Sequence, residues 1–257
     1  MGTTQVRTDE SSERVESAGV LTGQTVLVIG GSSGIGLETA RRARAEGADV
    51  IITARNADRL QSAGLELGAS IAAFDATDFD RLERFFAEIR TPVDHVLVTG
   101  PGPYYAPLVE FDLEAARRDA EAHLFLPLQV ARNAPGKVRP GGTLLFMGGT
   151  GARAAAPGLA LIASFTAALP AMTRNLALEL APIRVNLIAA GFVDTPLSAT
   201  LLGSELDARR EHLRETLPIR RVVGPADIAG LAVHLMVNTA ITGATFDIDG
   251  GQQLVGA

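Results

Sequence analysis

The chain carries a cluster of glycines directly after a short apolar run. The run TVLVIG (25–30) continues into GGSSGIG (30–36), which places Gly30, Gly34 and Gly36 at G-x-x-x-G-x-G spacing. Small residues let a backbone turn approach a phosphate closely, and a helix that follows offers free N–H groups and a favourable dipole. The pattern predicts a nucleotide-phosphate site, and the alternative is a tight turn without a ligand.

The end of the second apolar run bears on which nucleotide is bound. The run DVIITA (49–54) is followed by Arg55, where an acidic residue would favour NAD(H). Because a guanidinium pairs well with a 2′-phosphate, Arg55 favours NADP(H), with NAD(H) as the second choice. The other interpretation of Arg55 is a solvated surface arginine. Asp75, after the third run, is expected to accept a hydrogen bond from the adenine amino group.

Composition excludes several function classes. The 257 residues contain no cysteine, and the four histidines, His95, His123, His212 and His234, show no metal-ligand spacing, so no metal site is expected. The net charge of −6 argues against a nucleic-acid partner. Residues 1–20 are polar and are predicted to form a disordered leader. No apolar stretch free of charges and breakers reaches spanning length, so we expect a cytoplasmic protein without a membrane partner.

Seven short runs rich in β-branched residues alternate with helical patterns. Such alternation predicts a parallel sheet that is covered by helices on both faces. The fold class expected is therefore α/β, a single doubly wound Rossmann-type domain over residues 21–257. The predicted strands are 25–30, 49–54, 70–75, 94–99, 142–147, 183–188 and 244–249.

The chain resembles the short-chain dehydrogenase/reductase family from Leu21 to Val255. The resemblance is carried by GGSSGIG, FDATD, VDHVLVTGPG, LALELAPIRVNLIAAGFVDTPLS and ITGATFDIDGGQQL. It implies a seven-stranded sheet, a nicotinamide cofactor, a small-molecule substrate, a homotetramer or homodimer, and a substrate lid over 195–221. It also implies a set of cofactor-binding positions, namely Gly30, Ser32, Ser33, Gly34, Ile35, Gly36, Arg55, Asp75, Thr99, Gly100, Thr166, Gly191, Val193 and Thr195.

The four catalytic positions of that family are all changed here. Its serine, tyrosine and lysine positions fall on Gly149, Ile162 and Thr166, and its asparagine position falls on His123. A shift in the alignment cannot restore the motif, because Tyr104 and Tyr105 are the only tyrosines and the only lysine is Lys137. Pro170 also lies within the helix that carries these positions, where a kink is expected.

Four neighbouring side chains are candidates to replace the lost groups. Tyr104 and Tyr105 follow the fourth strand, His123 titrates near neutral pH, and Thr150 is adjacent to the serine position. The alternatives are a packed loop for the tyrosine pair and a hydrogen-bonded core histidine for His123. Arg153 is a candidate for holding an anionic substrate, or else a solvent-facing arginine.

Two functions follow from these expectations. The first is an atypical NADP(H)-dependent oxidoreductase that uses other acid groups on an unknown small molecule. The second is a non-redox protein on the same fold, either an NADP(H) sensor or a cyclase- or isomerase-like pocket.

Overall fold

The computed structural model describes residues 19–255. Seven parallel strands form one sheet in the order β3-β2-β1-β4-β5-β6-β7, which confirms the predicted fold. The strands are β1 Thr25–Ile29, β2 Asp49–Ala54, β3 Ser70–Ala73, β4 Val93–Val98, β5 Val138–Gly149, β6 Arg184–Ala190 and β7 Thr245–Ile248. Residues 1–18, most of the predicted leader, lie outside the described part of the chain.

Helices cover both faces of the sheet. They are α1 Gly34–Ala45, α2 Ala57–Leu67, α3 Phe79–Glu88, α4 Leu113–Ala120, α5 Leu126–Asn133, α6 Ala160–Glu179, α7 Pro196–Leu202, α8 Leu206–Thr216, α9 Pro225–Val237 and α10 Gln252–Val255. One core lies between the sheet and α1, α2 and α9, and the second lies between the sheet and α3, α5 and α6. The apolar runs form strands because both of their faces are buried.

Strand β5 is longer than the sequence predicts. It begins at Val138 and so includes Pro140, Gly141 and Gly142, a tripeptide that favours a turn. The register between β4 and β5 shifts between Val93 and His95, and this irregularity accommodates the extra residues. A Cβ on Gly142 would lie 2.2 Å from the carbonyl oxygen of Asp94, so glycine is required by a close backbone approach.

Helix α6 runs through Pro170 as one element, so the proline does not end it. The kink expected at Pro170 stays a prediction. Among residues 19–255, α6 is the one helix long and apolar enough to cross a membrane by length and composition. The core helix of a soluble protein meets the same criterion, and α6 packs here against β6.

A buried histidine in β4 makes stability depend on pH. His95 is 3% exposed, its Nε2 lies 2.6 Å from Gln24 Oε1, and burial lowers its pKa to about 4. In the unfolded chain the ring binds a proton below about pH 6.5, whereas the folded protein resists protonation until about pH 4. Stability should therefore fall as pH drops through this window, by up to about 1.4 kcal/mol per pH unit.

Chemical denaturation of wild type and of a His95→Gln variant between pH 7 and pH 4 measures this contribution. The variant should show a shallower fall, whereas replacing the exposed His212 by Gln should leave the wild-type slope in place. Equal slopes in wild type and His95→Gln would contradict the assignment.

Candidate functional site

The glycine loop joins β1 to α1 at the carboxyl end of the sheet. Gly30 and Gly34 have φ of 89° and 54°, a region that side chains disfavour. A Cβ on Gly36 would lie 2.2 Å from the carbonyl oxygen of Gly30, so the first turn of α1 packs directly on the loop backbone. This contact fixes the helix N-terminus where its N–H groups can meet an anion.

Thr99 supports this loop from the end of β4. Its hydroxyl donates to the carbonyl oxygens of Ile29 and Gly30 at 3.0 Å and 3.2 Å. A Cβ on Gly30 would lie 2.2 Å from that hydroxyl oxygen. Thr99, predicted to contact the cofactor, therefore serves here to hold the loop in place.

The segment that follows β6 contacts the glycine loop. A Cβ on Gly34 would lie 3.6 Å from Cβ of Thr195, the residue that caps α7 through a reciprocal pair with Ser198. Val193 bridges to Val223, and a Cβ on Gly191 would lie 2.6 Å from Cβ of Asp249. The structure thus brings Thr195 beside the glycine loop, while Gly191 and Val193 form the packed base of this segment.

Other predicted cofactor positions lie around the same turn. Ser33 is the N-cap of α1 and its side chain makes no capping hydrogen bond, which leaves the hydroxyl outside the helix. Ser32 borders a hollow of about 320 Å³ that is also lined by Arg59 of α2. Ile35 belongs to the first turn of α1 and packs against the core beneath it.

Arg55 and Asp75 face each other beyond the ends of β2 and β3. Arg55 Nη1 lies 4.0 Å from Asp75 Oδ2, and both side chains are exposed. Asp75 Oδ1 accepts hydrogen bonds from Thr77, at 3.0 Å from its backbone nitrogen and 2.7 Å from its hydroxyl. The guanidinium therefore has a weak surface partner and is free to turn towards a phosphate.

A buried acid–base pair lies beneath the loop that follows β4. His123 lies in a π-helical turn, Glu121–Phe125, between α4 and α5. Its Nδ1 is 2.9 Å from Oδ1 of Asp119, and the two side chains are 15% and 4% exposed. The imidazole stacks on Phe165 of α6, with ring centroids 6.3 Å apart. Asp119 was absent from the predicted site, although its i, i+4 spacing to His123 was a readable signal.

Three acceptors govern the protonation of His123. Burial, the largest single influence, lowers its pKa, but the carboxylate of Asp119 and the backbone carbonyls of Asp119 and Pro101 together raise the pKa above its ordinary value. Oδ2 of Asp119 is buried without a hydrogen-bond partner among the described residues. Among the described residues, the imidazole is therefore the one polar partner of this carboxylate, which favours the protonated imidazolium.

The imidazole also faces the loop after β4. A Cβ on Gly100 would lie 3.6 Å from Nε2 of His123. Because Nδ1 is paired with Asp119, Nε2 is the nitrogen that faces Gly100 and Pro101. An imidazolium can donate from both nitrogens at once, whereas a neutral ring can donate from only one.

The two tyrosines of this loop have different surroundings. The Tyr104 hydroxyl accepts a hydrogen bond of 2.8 Å from the Asp112 nitrogen, and its ring meets Phe111 edge to face. Tyr104 thus holds the loop together, as the alternative interpretation had it. Tyr105 is 53% exposed, and partial burial followed by the negative charge of Asp119 raises its pKa. Tyr105 is therefore the tyrosine near the acid–base pair.

Two other candidate site residues, Thr150 and Arg153, are hydrogen-bonded to other side chains of the protein. Thr150 is 1% exposed and its hydroxyl lies 3.3 Å from Oδ2 of Asp249, so it is not available to a substrate in this structure. Arg153 forms a bidentate pair with Asp247 at 2.6 Å and 2.8 Å, so it is not the free anion-holding group that was considered. Both partners lie more than ninety residues away in sequence, at the end of β7, and no local pattern identifies them.

The three remaining altered positions carry no ionisable group. Gly149 ends β5, Ile162 is half-buried in α6, and Thr166 is 6% exposed. Thr166 borders an open groove of about 690 Å³ between α6 and β7. Among residues 19–255, no group of three or more histidine, cysteine, aspartate or glutamate side chains is placed to hold a metal ion.

The predicted lid forms two helices over the end of the sheet. At Gly102 a Cβ would lie 3.0 Å from Leu197 and 3.4 Å from Leu201, so α7 of the lid contacts the loop after β4. Leu197 and Leu201 remain 42% and 50% exposed. Arg210 of α8 pairs with Asp194 at 2.7 Å and thereby ties the lid to the segment after β6.

Comparison with known proteins identifies the family. A family model described as enoyl-(acyl carrier protein) reductase matches residues 19–253. The short-chain dehydrogenase/reductase ATR9 of Stachybotrys chlorohalonatus is 32% identical over 89% of this chain and 96% of its own length. The chain belongs to the short-chain dehydrogenase/reductase family. This membership accounts for the sheet order and for the loop at the end of β1.

Two solved structures of this family are similar in fold. The structure of the MalC reductase/Diels-Alderase from Malbranchea aurantiaca superposes with a TM-score of 0.83 at 25% identity and covers 92% of this chain and 99% of its own. The structure of BdcA in complex with NADPH superposes with a TM-score of 0.81 at 28% identity and covers 90% of this chain and 95% of its own. Both similarities extend over nearly the whole domain.

Proposed function

We propose that this short-chain dehydrogenase/reductase is an NADP(H)-dependent reductase of a small molecule and that His123 supplies the proton. The observation that carries the proposal is the buried Asp119–His123 pair at the carboxyl end of β4, with its imidazole directed at the loop there. In open α/β sheets, ligands bind outside the carboxyl ends of the strands. This location supports a role for the pair in handling the substrate.

The residues of the loop fit a dinucleotide. Contacts that only glycine allows hold Gly30 against Thr99 and Gly36 against the Gly30 carbonyl, and the N-terminus of α1 presents its N–H groups at this loop. Arg55 suits a 2′-phosphate, and the NADPH bound in the BdcA structure supports the same choice. When bound, this cofactor supplies a hydride to an electron-poor carbon of the substrate.

His123 completes the reduction by donating a proton. The Pro101 carbonyl contributes to the raised pKa of His123. A substrate oxygen or nitrogen beside Nε2, the nitrogen that faces Gly100, would accept the proton. Asp119 keeps the Nδ1 proton and stabilises the imidazolium before transfer. Hydride and proton together add two hydrogen atoms, so the product is the dihydro form of the substrate.

Cofactor choice is tested at Arg55. Replacing it by Ala should weaken NADPH binding by about 10- to 100-fold, because a charge-assisted contact to the 2′-phosphate is lost. NADH binding should stay unchanged. Calorimetric titration of both nucleotides measures the two affinities, and Arg90→Ala, an exposed arginine that follows α3, is the matched control. Equal loss of NADPH and NADH affinity, or no loss, would remove Arg55 from the cofactor site.

A second function is favoured by a different observation. Gly149, Ile162 and Thr166 offer no acid, base or charge, which suits a pocket that shapes a substrate instead of reducing it. The name of the MalC reductase/Diels-Alderase pairs both kinds of chemistry in one relative. A cyclisation or isomerisation leaves the product mass equal to the substrate mass, whereas reduction raises it by two hydrogens. Mass spectrometry of products therefore separates the two functions.

A further inference from the structure

An arginine on the inner face of the lid has no partner. Arg209 is half-buried, and it makes no hydrogen bond or ion pair with any residue of the range 19–255. Burial alone lowers its pKa. None of its nitrogen atoms is among the fully buried atoms without a hydrogen bond, so the guanidinium is accessible to a ligand while its stem is partly covered.

The neighbouring arginines of the lid are all satisfied. Arg210 pairs with Asp194, Arg214 with Glu211 and Arg221 with Asp227. Arg220 donates to the carbonyl oxygen of Glu215. Elsewhere in the described chain, every arginine that lacks a partner is exposed, namely Arg59, Arg84, Arg90, Arg118, Arg132 and Arg174. Among the described residues, Arg209 is thus the one arginine that is partly buried and also lacks a partner.

Arg209 lies on the face of α8 that also carries a buried leucine. Leu213, one turn later on the same helix face, is 0% exposed, and Leu217 beyond the helix is 1% exposed. A Cβ on Gly250 would lie 3.4 Å from Leu217 and 2.8 Å from Ile219, so the turn that follows α8 covers the segment after β7. Through the Arg210–Asp194 pair, the same helix is tied to the segment after β6.

We propose that Arg209 binds the anionic group of the substrate, so that the ligand of the lid is an apolar molecule with one carboxylate, sulfonate or phosphate. The exposed Leu197 and Leu201 supply contacts to the apolar part. The anion restores the partner that Arg209 lacks and makes closure of the lid favourable only over a charged ligand. The inference deepens the proposed function, on which it rests for the place of the substrate.

Two fluorescent probes of the same shape test this inference. The anionic probe 1-anilinonaphthalene-8-sulfonate and the neutral N-phenyl-1-naphthylamine are titrated into NADPH-saturated wild type, Arg209→Gln and Arg214→Gln. The Arg209→Gln variant should bind the anionic probe about tenfold or more weakly and the neutral probe unchanged, because one charged contact is lost. Arg214→Gln, whose guanidinium is exposed and paired, should bind both probes as wild type does.

Each other outcome overturns the inference. Unchanged binding of the anionic probe would remove Arg209 from the ligand site, and equal weakening of both probes would make its role structural. Loss of NADPH affinity in Arg209→Gln would assign the guanidinium to the cofactor. A conservative Arg209→Lys variant keeps the result interpretable if Arg209→Gln melts below wild type, because it should retain part of the anionic selectivity. Since no turnover is measured, a negative result here is distinct from a failure of the reductase proposal.

Discussion

Replacing His123 by Gln should lower the reductase rate by about 10²- to 10⁴-fold, the usual cost of losing a positioned general acid. Glutamine fills similar space and can still donate a hydrogen bond to Asp119, but it carries no transferable proton. NADPH affinity should remain, because the glycine loop and Arg55 are untouched. The measurement is steady-state NADPH oxidation with a substrate found by screening enones, imines and ketones.

The pH dependence gives this prediction a second readout. Reduction requires protonated His123, so the rate should be constant at low pH and fall as pH rises through the raised pKa. The Asp119→Asn variant removes the carboxylate that raises the pKa, so its fall should occur at lower pH. The exposed His212→Gln is the control. A His123→Gln enzyme with wild-type rate and pH profile would show that another group gives the proton.

The Gly36→Ala variant should lose NADPH binding by about 100-fold or more, an effect of about 2.7 kcal/mol. The added Cβ would lie 2.2 Å from the Gly30 carbonyl oxygen, and backbone on both sides leaves no flexible group to give way. Helix α1 must then shift away from the loop, and its N-terminal N–H groups move with it. Calorimetric titration with NADPH gives the affinity, and thermal unfolding reports any loss of stability.

Gly230 provides the matched control for this substitution. It lies in α9, is exposed, and a Cβ there meets no atom within 4 Å. Gly230→Ala should bind NADPH as wild type does and should be slightly more stable, because alanine favours a helix by about 1 kcal/mol over glycine. If Gly36→Ala keeps wild-type affinity, the close contact between α1 and the loop is not required for the cofactor site.

Local patterns in the sequence were sufficient for the fold. Runs of Val and Ile mark buried parallel strands, and the glycine spacing marks the turn that joins β1 to α1. The start of β5 was missed because Pro140, Gly141 and Gly142 resemble a turn, and Gly141 does have a φ of 80°. Residues on either side of them, Val138 and Thr143, pair with β4, so the strand continues across this local irregularity. The oligomeric state stays a prediction.

The candidate site was only partly predictable. His123 was identified because the family's asparagine position falls on it, but its carboxylate partner Asp119 was missed. The loss of Thr150 and Arg153 as candidates depends on contacts with Asp249 and Asp247, which only the folded sheet brings near. Arg209 lies in a segment where arginine alternates with acidic residues, so its lack of a partner is visible only when every neighbour has been placed.

Deuterium transfer tests the proposed reduction most directly. The protein is incubated with NADPH deuterated at C4 of the nicotinamide and with enones, imines and ketones that carry an anionic group, and products are analysed by mass spectrometry. We expect one deuterium in a reduced product with wild type, and far less product with His123→Gln. If NADPH binds and substrates are converted to products of unchanged mass without deuterium, the protein acts by the non-redox alternative and the reductase proposal is wrong.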